Sequence, residues 1–265
     1  MFNKNELILD KVRRASAFDI ETAKQIMTIK SIEDPSLNCT AEGEEVVDAF
    51  GSTIDTIYRA KKGEFTGSNS LISFDLLAAQ YGTEKVVAAQ NDTISVPTYE
   101  ILEIPTTGAD AGKVTLKYTP DKDIKYIYAY TAGDVGTAFA KGTEVSATAF
   151  VIAGKEITVP TGLTGKVFVE YSYASTEALK VVNKAENFPA EVMLKIYAYF
   201  KDVCNSNKIY SGAVIAPRAK LNPESIELAL TSTGKHPFTF TIAKDYCDDE
   251  GELFTVIVAN GDGAE

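Results

Sequence analysis

Hydrophobic and polar residues alternate with period two over long stretches of this chain. Val192, Leu194, Ile196, Ala198 and Phe200 alternate with Met193, Lys195, Tyr197, Tyr199 and Lys201. Successive side chains of a strand point to opposite faces, so this segment predicts a strand with one apolar and one amphipathic face. The same alternation predicts strands over residues 54–59, 226–230, 238–242 and 253–258. Polar outward faces of this kind belong to antiparallel sheets with one wet side. One segment reads as a helix. Ser68, Asn69 and Ser70 offer N-cap acceptors, Leu71, Phe74, Leu77 and Ala78 fall on one stripe, and Gly82 stands where a left-handed C-cap residue belongs. A weaker helical spacing covers residues 6–15.

The middle of the chain has a different texture. Short strands are predicted at residues 99–104, 113–118, 124–130, 155–159 and 167–173, separated by turn residues such as Thr119-Pro120-Asp121 and Pro160-Thr161-Gly162. Several short strands at this spacing describe a small immunoglobulin-like β-sandwich inserted into a larger framework. The expected division is therefore a discontinuous framework, residues 1–97 and 188–265, around an inserted domain, residues 98–187. The fold class is mainly β with one or two short helices.

Charge sharpens this division. The chain carries a net charge of −11, yet residues 98–187 hold eleven acidic and nine basic side chains, leaving −9 on the framework. So acidic a chain is a poor nucleic-acid binder, because that affinity comes from Lys and Arg neutralising phosphates. Cys39, Cys204 and Cys247 are odd in number and widely spaced, the usage of a reducing compartment. No run of eighteen apolar residues exists to span a membrane, and the N-terminus lacks the pattern of a secretory signal. The expectation is assembly in the cytoplasm.

A search for catalytic chemistry finds little. Ser or Cys nucleophiles need a base, and the lone imidazole is His236, in what reads as an exposed turn before a strand. Asp245, Asp248, Asp249, Glu250 and Glu252 are acidic enough for calcium, but Glu250 replaces the glycine such a loop requires. No glycine-rich phosphate loop is present, so neither an enzyme nor a cofactor or metal is expected. Tyr126, Tyr128 and Tyr130 share one face of one strand, where they either pack against a neighbouring sheet or stack on sugars.

Several segments carry a resemblance. Ala41-Glu42-Gly43-Glu44-Glu45-Val46, Ile57-Tyr58-Arg59-Ala60-Lys61-Lys62, and Thr66-Gly67-Ser68-Asn69-Ser70-Leu71 leading to Leu76-Leu77-Ala78-Ala79-Gln80-Tyr81-Gly82 form the first group. Ala213-Val214-Ile215-Ala216-Pro217-Arg218-Ala219, Pro237-Phe238-Thr239-Phe240 and Lys244-Asp245-Tyr246-Cys247 form the second. Over about residues 20–95 and 188–258 the chain resembles tail tube (major tail) proteins of long-tailed bacteriophages of Gram-positive hosts. The resemblance implies a β-sandwich subunit of homo-oligomeric rings, usually hexameric, stacked into a conduit in the virion tail. Other tail proteins would be its partners, and DNA would pass through without specific binding. It leaves a capsid decoration protein, or a surface- or carbohydrate-binding module, as the alternatives. An acidic wall would repel phosphate, which makes Glu42, Glu44, Glu45 and Asp55 candidates for the lumen or for contacts between rings. Tyr58, Arg59, Lys61 and Lys62 are the candidates for contacts between subunits.

Overall fold

Period-two alternation becomes hydrogen-bonded sheet along most of the chain. The computed structural model describes residues 6–205, 207–223, 226–227, 231, 234–246 and 251–259. In chain order the first elements are β1 (Leu7–Asp19), β2 (Gln25–Ile29), β3 (Ile32–Val47), β4 (Thr53–Asn69) and α1 (Phe74–Gln80). There follow β5 (Val86–Val87), β6 (Ile94–Glu103), β7 (Lys113–Thr115), β8 (Tyr126–Thr131) and β9 (Asp134–Lys141). Then come β10 (Ala149–Ala153), β11 (Glu156–Thr158), β12 (Lys166–Ser175) and β13 (Leu179–Lys180). Last are β14 (Glu191–Asp202), β15 (Ile209–Leu221), β16 (His236–Ala243) and β17 (Thr255–Ala259). They divide into two units: residues up to Lys85 with those from Val181 onward, and residues Val86–Lys180.

The first unit is built on one curved antiparallel sheet, in the order β2-β1-β14-β15-β16-β4-β3, with β17 pairing β15 beside β16. The predicted apolar face of β14 is the one buried: Val192, Leu194, Ile196 and Ala198 are all inside. Ala15 and Ala17 of β1, Met27 and Ile29 of β2, and Ala216 and Ala219 of β15 join the same core. Phe65, Phe238 and Phe240 close it with tilted and stacked rings whose centroids lie 5.6 to 6.4 Å apart. The expected strand over 226–230 falls largely on residues 228–230, outside the described residues.

The helix starts later than its sequence signals suggest. Asn69 ends β4, and the N-cap is Ser73, whose hydroxyl accepts the Leu76 N–H at 3.3 Å. Leu76, Leu77 and Ala78 face the core, whereas Leu71 is exposed. At the other end the Gly82 N–H bonds the Ala79 carbonyl and the Thr83 N–H bonds the Ala78 carbonyl, a Schellman closure. Gly82 has φ +61° and lies against the backbone of Phe188.

Residues 7–19 form a strand rather than the helix that the spacing over 6–15 implied. The cause lies in β1's pairing with β14, which is interrupted by irregularities between Leu9 and Lys11 and between Val12 and Arg14. Each extra residue resets the alternation. The core-facing residues Val12 and Ala15 are therefore three apart, as on a helix.

The second unit is a seven-stranded sheet, β6-β12-β8-β9-β10-β11-β7, antiparallel except for the β9–β10 pair. One core collects Val114, Ile127, Phe150, Ile157, Val167 and Val169, so strands from both ends of the order enclose it as a sandwich. Tyr171 reaches from β12 across to β6, donating to Glu100 and accepting the Tyr118 N–H at 3.2 Å. Burial, then the Glu100 carboxylate, pushes its hydroxyl up to about 12. Where the chain enters and leaves the unit, β5 and β13 pair side by side, Val86 with Lys180 and Val87 with Leu179.

A Cβ at position 82 would sit 2.1 Å from the Phe188 carbonyl oxygen, and its φ is unfavourable to any side chain. Gly82→Ala should therefore destabilise the first unit by at least about 2 kcal/mol in chemical denaturation, since neither backbone can yield cheaply.

Candidate assembly surface

Strands β3 and β4 are the longest in the chain, and they pair as a hairpin out to Val47 opposite Thr53. Near their base, Phe65 is buried and Leu37 packs on the core. Further out, residues 41–47 and 51–55 are exposed on both faces, so the hairpin leaves the body of its unit as an arm. Its tip is a built turn. The Asp48 carboxylate accepts the N–H groups of Phe50 and Ser52 at 2.8 Å each, and Gly51 supplies φ +83°. Phe50 stands on this turn 94% exposed, with Ile54 at 68% and Tyr58 at 69% behind it. A polar hairpin needs no such residues. Apolar side chains displayed on an arm call for a surface to cover them.

The arm also carries the acidic residues singled out from sequence. Glu44 pairs with Ile57 and Val46 with Asp55, whereas Gly43 pairs with Tyr58 and Glu45 with Thr56. Alternation therefore puts Glu44 and Asp55 on one face and Glu45 on the other, so the carboxylates do not make one wall. Glu42 pairs with the Lys62 ammonium at 2.6 Å, and that contact holds its carboxyl below the usual range. Tyr58 lies flat over Gly43, where a Cβ would meet its ring at 3.0 Å. Lys61 is exposed opposite Ala41; for Arg59 the description stops at its backbone in β4.

A second feature lies on the same sheet. β2 covers β1 only along residues 15–18, and no described strand flanks residues 7–12 on that side. Across the sheet, β17 covers the first half of β15, and no described strand lies beyond β17. The four strands β1, β14, β15 and β17 thus form a band with two open margins. Its outward face is basic and aromatic along β1 and β14, and carries Ala213, Ile215 and Ile257 along β15 and β17. Lys11 and Arg13 lie over the Tyr199 ring, Lys195 lies over Phe18 at 4.9 Å, and Lys201 pairs with Asp10. Local sequence does not bring Lys195 and Lys201 beside Lys11, Arg13 and Arg14. The β1–β14 register does.

The model of the YomU/Tube protein family matches residues 7–256. The chain belongs to this family of phage-type tube proteins. No curated protein matches it. Membership spans both units and both features just described, and it identifies a phage structural protein.

Among the described residues, no group of three or more His, Cys, Asp or Glu side chains is placed to hold a metal, and Asp248, Asp249, Glu250 and Cys247 lie outside the described residues. Asp245 instead pairs with the Arg218 guanidinium at 3.1 Å. No described helix is long and apolar enough to cross a membrane. A cavity of about 670 Å³ lies between α1 and the β1–β2 turn and is lined by residues such as Met27, Ala79 and Phe188.

His236 is not in an exposed turn, as its sequence neighbours suggested. It is wholly buried at the start of β16. Its Nε2 bonds the Gln80 side-chain oxygen at 2.8 Å, and Nδ1 accepts the Ser73 N–H at 3.4 Å. The Gln80 amide in turn donates to the Pro237 carbonyl at 3.0 Å. Both ends of α1 are thereby fixed to β16, which is a structural use of the lone imidazole.

Burial holds His236 below its ordinary value near 6.5. The unfolded chain therefore takes up this proton first as pH falls. Its contribution to stability should be complete above about pH 6.5 and drain away as pH drops through the lower folded value. Urea denaturation at pH 7.5 and at successively lower pH should show this loss in the native chain. His236→Phe should remove that pH-dependent component while lowering stability at pH 7.5.

Proposed function

We propose that the protein is the subunit of a phage tail tube, assembling as homo-oligomeric rings that stack into the conduit through which DNA passes. The observation that carries this reading is the four-stranded band with two open margins. An open edge presents unpaired N–H and C=O groups and invites another strand. Pairing β17 of one copy with β1 of the next would continue the sheet from subunit to subunit until it closes as a barrel. Closure removes every edge, which gives a ring rather than an open fibre. A hexamer, the number the family resemblance implies, fits this scheme. Other tail proteins would cap the ends, and the location would be the virion tail.

The arm then serves the stacking direction. Phe50, Ile54 and Tyr58 seat on the adjacent ring, and Glu42, Glu44, Glu45 and Asp55 belong with that contact rather than with the lumen. The core covers the other face of β14 along residues 192–198, so the outward face carrying Tyr197, Tyr199, Lys195 and Lys201 would line the conduit. Lys11, Arg13 and Lys195 lie over aromatic rings and Lys201 pairs with Asp10, which limits the grip of these four cations on phosphate. Residues 98–187 would be the domain inserted into this framework, a reading supported by the compact unit Val86–Lys180.

Light scattering after size exclusion, with negative-stain microscopy, tests the assembly. The purified protein should form rings or tubes without any partner, more readily at high salt, which screens repulsion between acidic subunits. A strict monomer at all concentrations and salts overturns the reading. Phe50→Asp with Ile54→Asp should change monomer stability by less than about 0.5 kcal/mol, because both side chains are exposed, yet yield rings that do not stack. Replacing residues 86–180 with a short Gly/Ser linker should leave a cooperatively melting framework, because the linker spans only neighbouring strands about 5 Å apart. Loss of cooperative melting would show that the framework depends on the second unit.

A further inference from the structure

One sheet face of the second unit points away from its core and carries an aromatic row across three strands. Tyr99 of β6 stacks on Phe168 of β12 with centroids 5.6 Å apart, and Tyr128 of β8 tilts against the same ring at 6.2 Å. Tyr126 and Tyr130 flank Tyr128 on this face. Tyrosines on a strand usually pack against a second sheet, but here the opposite face of β8, with Ile127, makes the core. Tyr99 is 65% exposed and Tyr126 52%. On β9 the residues opposite Tyr126 and Tyr128 are Ala140 and Ala138, whose methyl groups leave the rings uncovered.

The hydroxyls make the same distinction. The two buried tyrosines, Tyr171 and Tyr210, donate to Glu100 and Asp202. Those of Tyr99, Tyr126 and Tyr128 have no protein partner among the described residues. Beside them opens a cleft of about 320 Å³, lined by Tyr126, Tyr128, Lys122, Asp123, Lys125 and Glu170. Its charges nearly balance: Lys122 and Lys125 stand against Asp123 and Glu170, and Asp123 is itself paired with Lys141. Glu170 pairs across to Tyr99, which places a carboxylate among the rings rather than at their rim.

We propose that this face binds a neutral polysaccharide. A pyranose ring offers an apolar face of C–H groups and a rim of hydroxyls. Flat aromatic rings, two strand spacings across, take the C–H faces of successive sugars. Glu170 and Asp123 accept hydroxyls, Lys122 and Lys125 donate to them, and free tyrosine hydroxyls do both. The charge balance selects against the competitors. Nucleic acid or an anionic wall polymer requires a cationic excess. A contact between copies of this chain would be depleted in Lys and Glu at its centre. The inference requires nothing of the tube assembly.

The test uses the full-length protein in native gels cast with soluble neutral polysaccharides (a β-glucan, an α-glucan, a galactomannan and glycol chitin), with heparin as the anionic control. At least one neutral polymer should retard it, and calorimetry with the matching hexasaccharide should give a measurable Kd. Tyr126→Ala with Tyr128→Ala should raise that Kd about tenfold or more, the loss of one or two stacking contacts. Glu170→Gln alters one exposed carboxylate, should leave the melting curve unchanged, and should weaken binding several-fold. Retardation by none of the neutral polymers, retardation by heparin alone, or binding that survives all these substitutions overturns the proposal. So does a tyrosine variant whose oligomeric mass changes while its sugar binding does not, because the face would then be a contact between copies.

Discussion

The first unit depends on β14 being paired on both sides while keeping one face dry. Its register with β1 runs from Leu7 opposite Asp202 to Asp19 opposite Val192, and its register with β15 runs from Glu191 opposite Lys220 to Lys201 opposite Ile209. A slip of one residue against either neighbour would turn Leu194 and Ile196 outward and Lys195 and Tyr197 into the core. Burying an unpaired lysine is costly enough to make that slip prohibitive. The turn that begins the return is locked as well. Asp202, itself buried, accepts the Cys204 N–H and the Tyr210 hydroxyl at 2.9 Å each. These hydrogen bonds, the backbone donor first, hold its carboxyl below the usual range. With β14 fixed, the positions of β1, β15 and β17 follow, and with them the two margins.

What was legible in the sequence is what a regular strand with one wet face writes into it. β14 and β16 show clean alternation, and Val192, Leu194, Ile196 and Ala198 of the apolar set of β14 are buried. The departures each have a local cause. Bulges in β1 shift its core residues to a helical spacing. β3 shows no regular alternation because its outer half is exposed on both faces, so there is no core for a pattern to report. β9 lies outside the strands expected from sequence, which pass from residues 124–130 to 155–159. Only the two-residue connection between Thr131 and Asp134 is a turn, with Ala132 at φ +56° and Gly133 at φ +90°.

The candidate site was harder to read than the fold, because its parts are defined by what does not pack. The acidic residues of the arm could be named, but their division between two faces is set by the hairpin register around Gly43 and Tyr58. The basic band needed Lys195 and Lys201 to come beside Lys11 and Arg13, a pairing across more than 180 residues that no local pattern records. His236 misled for a related reason. Gly234, Lys235 and Pro237 around it are turn-forming, and the partner that buries it, Gln80, lies 156 residues away. Burial of a polar group is decided by its partner, so sequence neighbours do not report it.

In the proposed assembly the arm and the net charge act over different distances. Charge repulsion between acidic subunits extends about 8 Å at physiological ionic strength. The apolar residues at the arm tip attract only on contact. Covering Phe50, Ile54 and Tyr58 yields on the order of 1.5–3 kcal/mol each. Association of two bodies costs an estimated 4–15 kcal/mol in lost freedom. One arm on one partner therefore comes close to cancelling, and two isolated subunits gain little by meeting. A closed ring changes the sum, because its arms are already held together and seat on the next ring with the cost of association met once for all of them. Weak arms on a closed ring thus favour stacking of finished rings over aggregation of single subunits, and the acidic framework widens that margin by keeping unassembled copies apart.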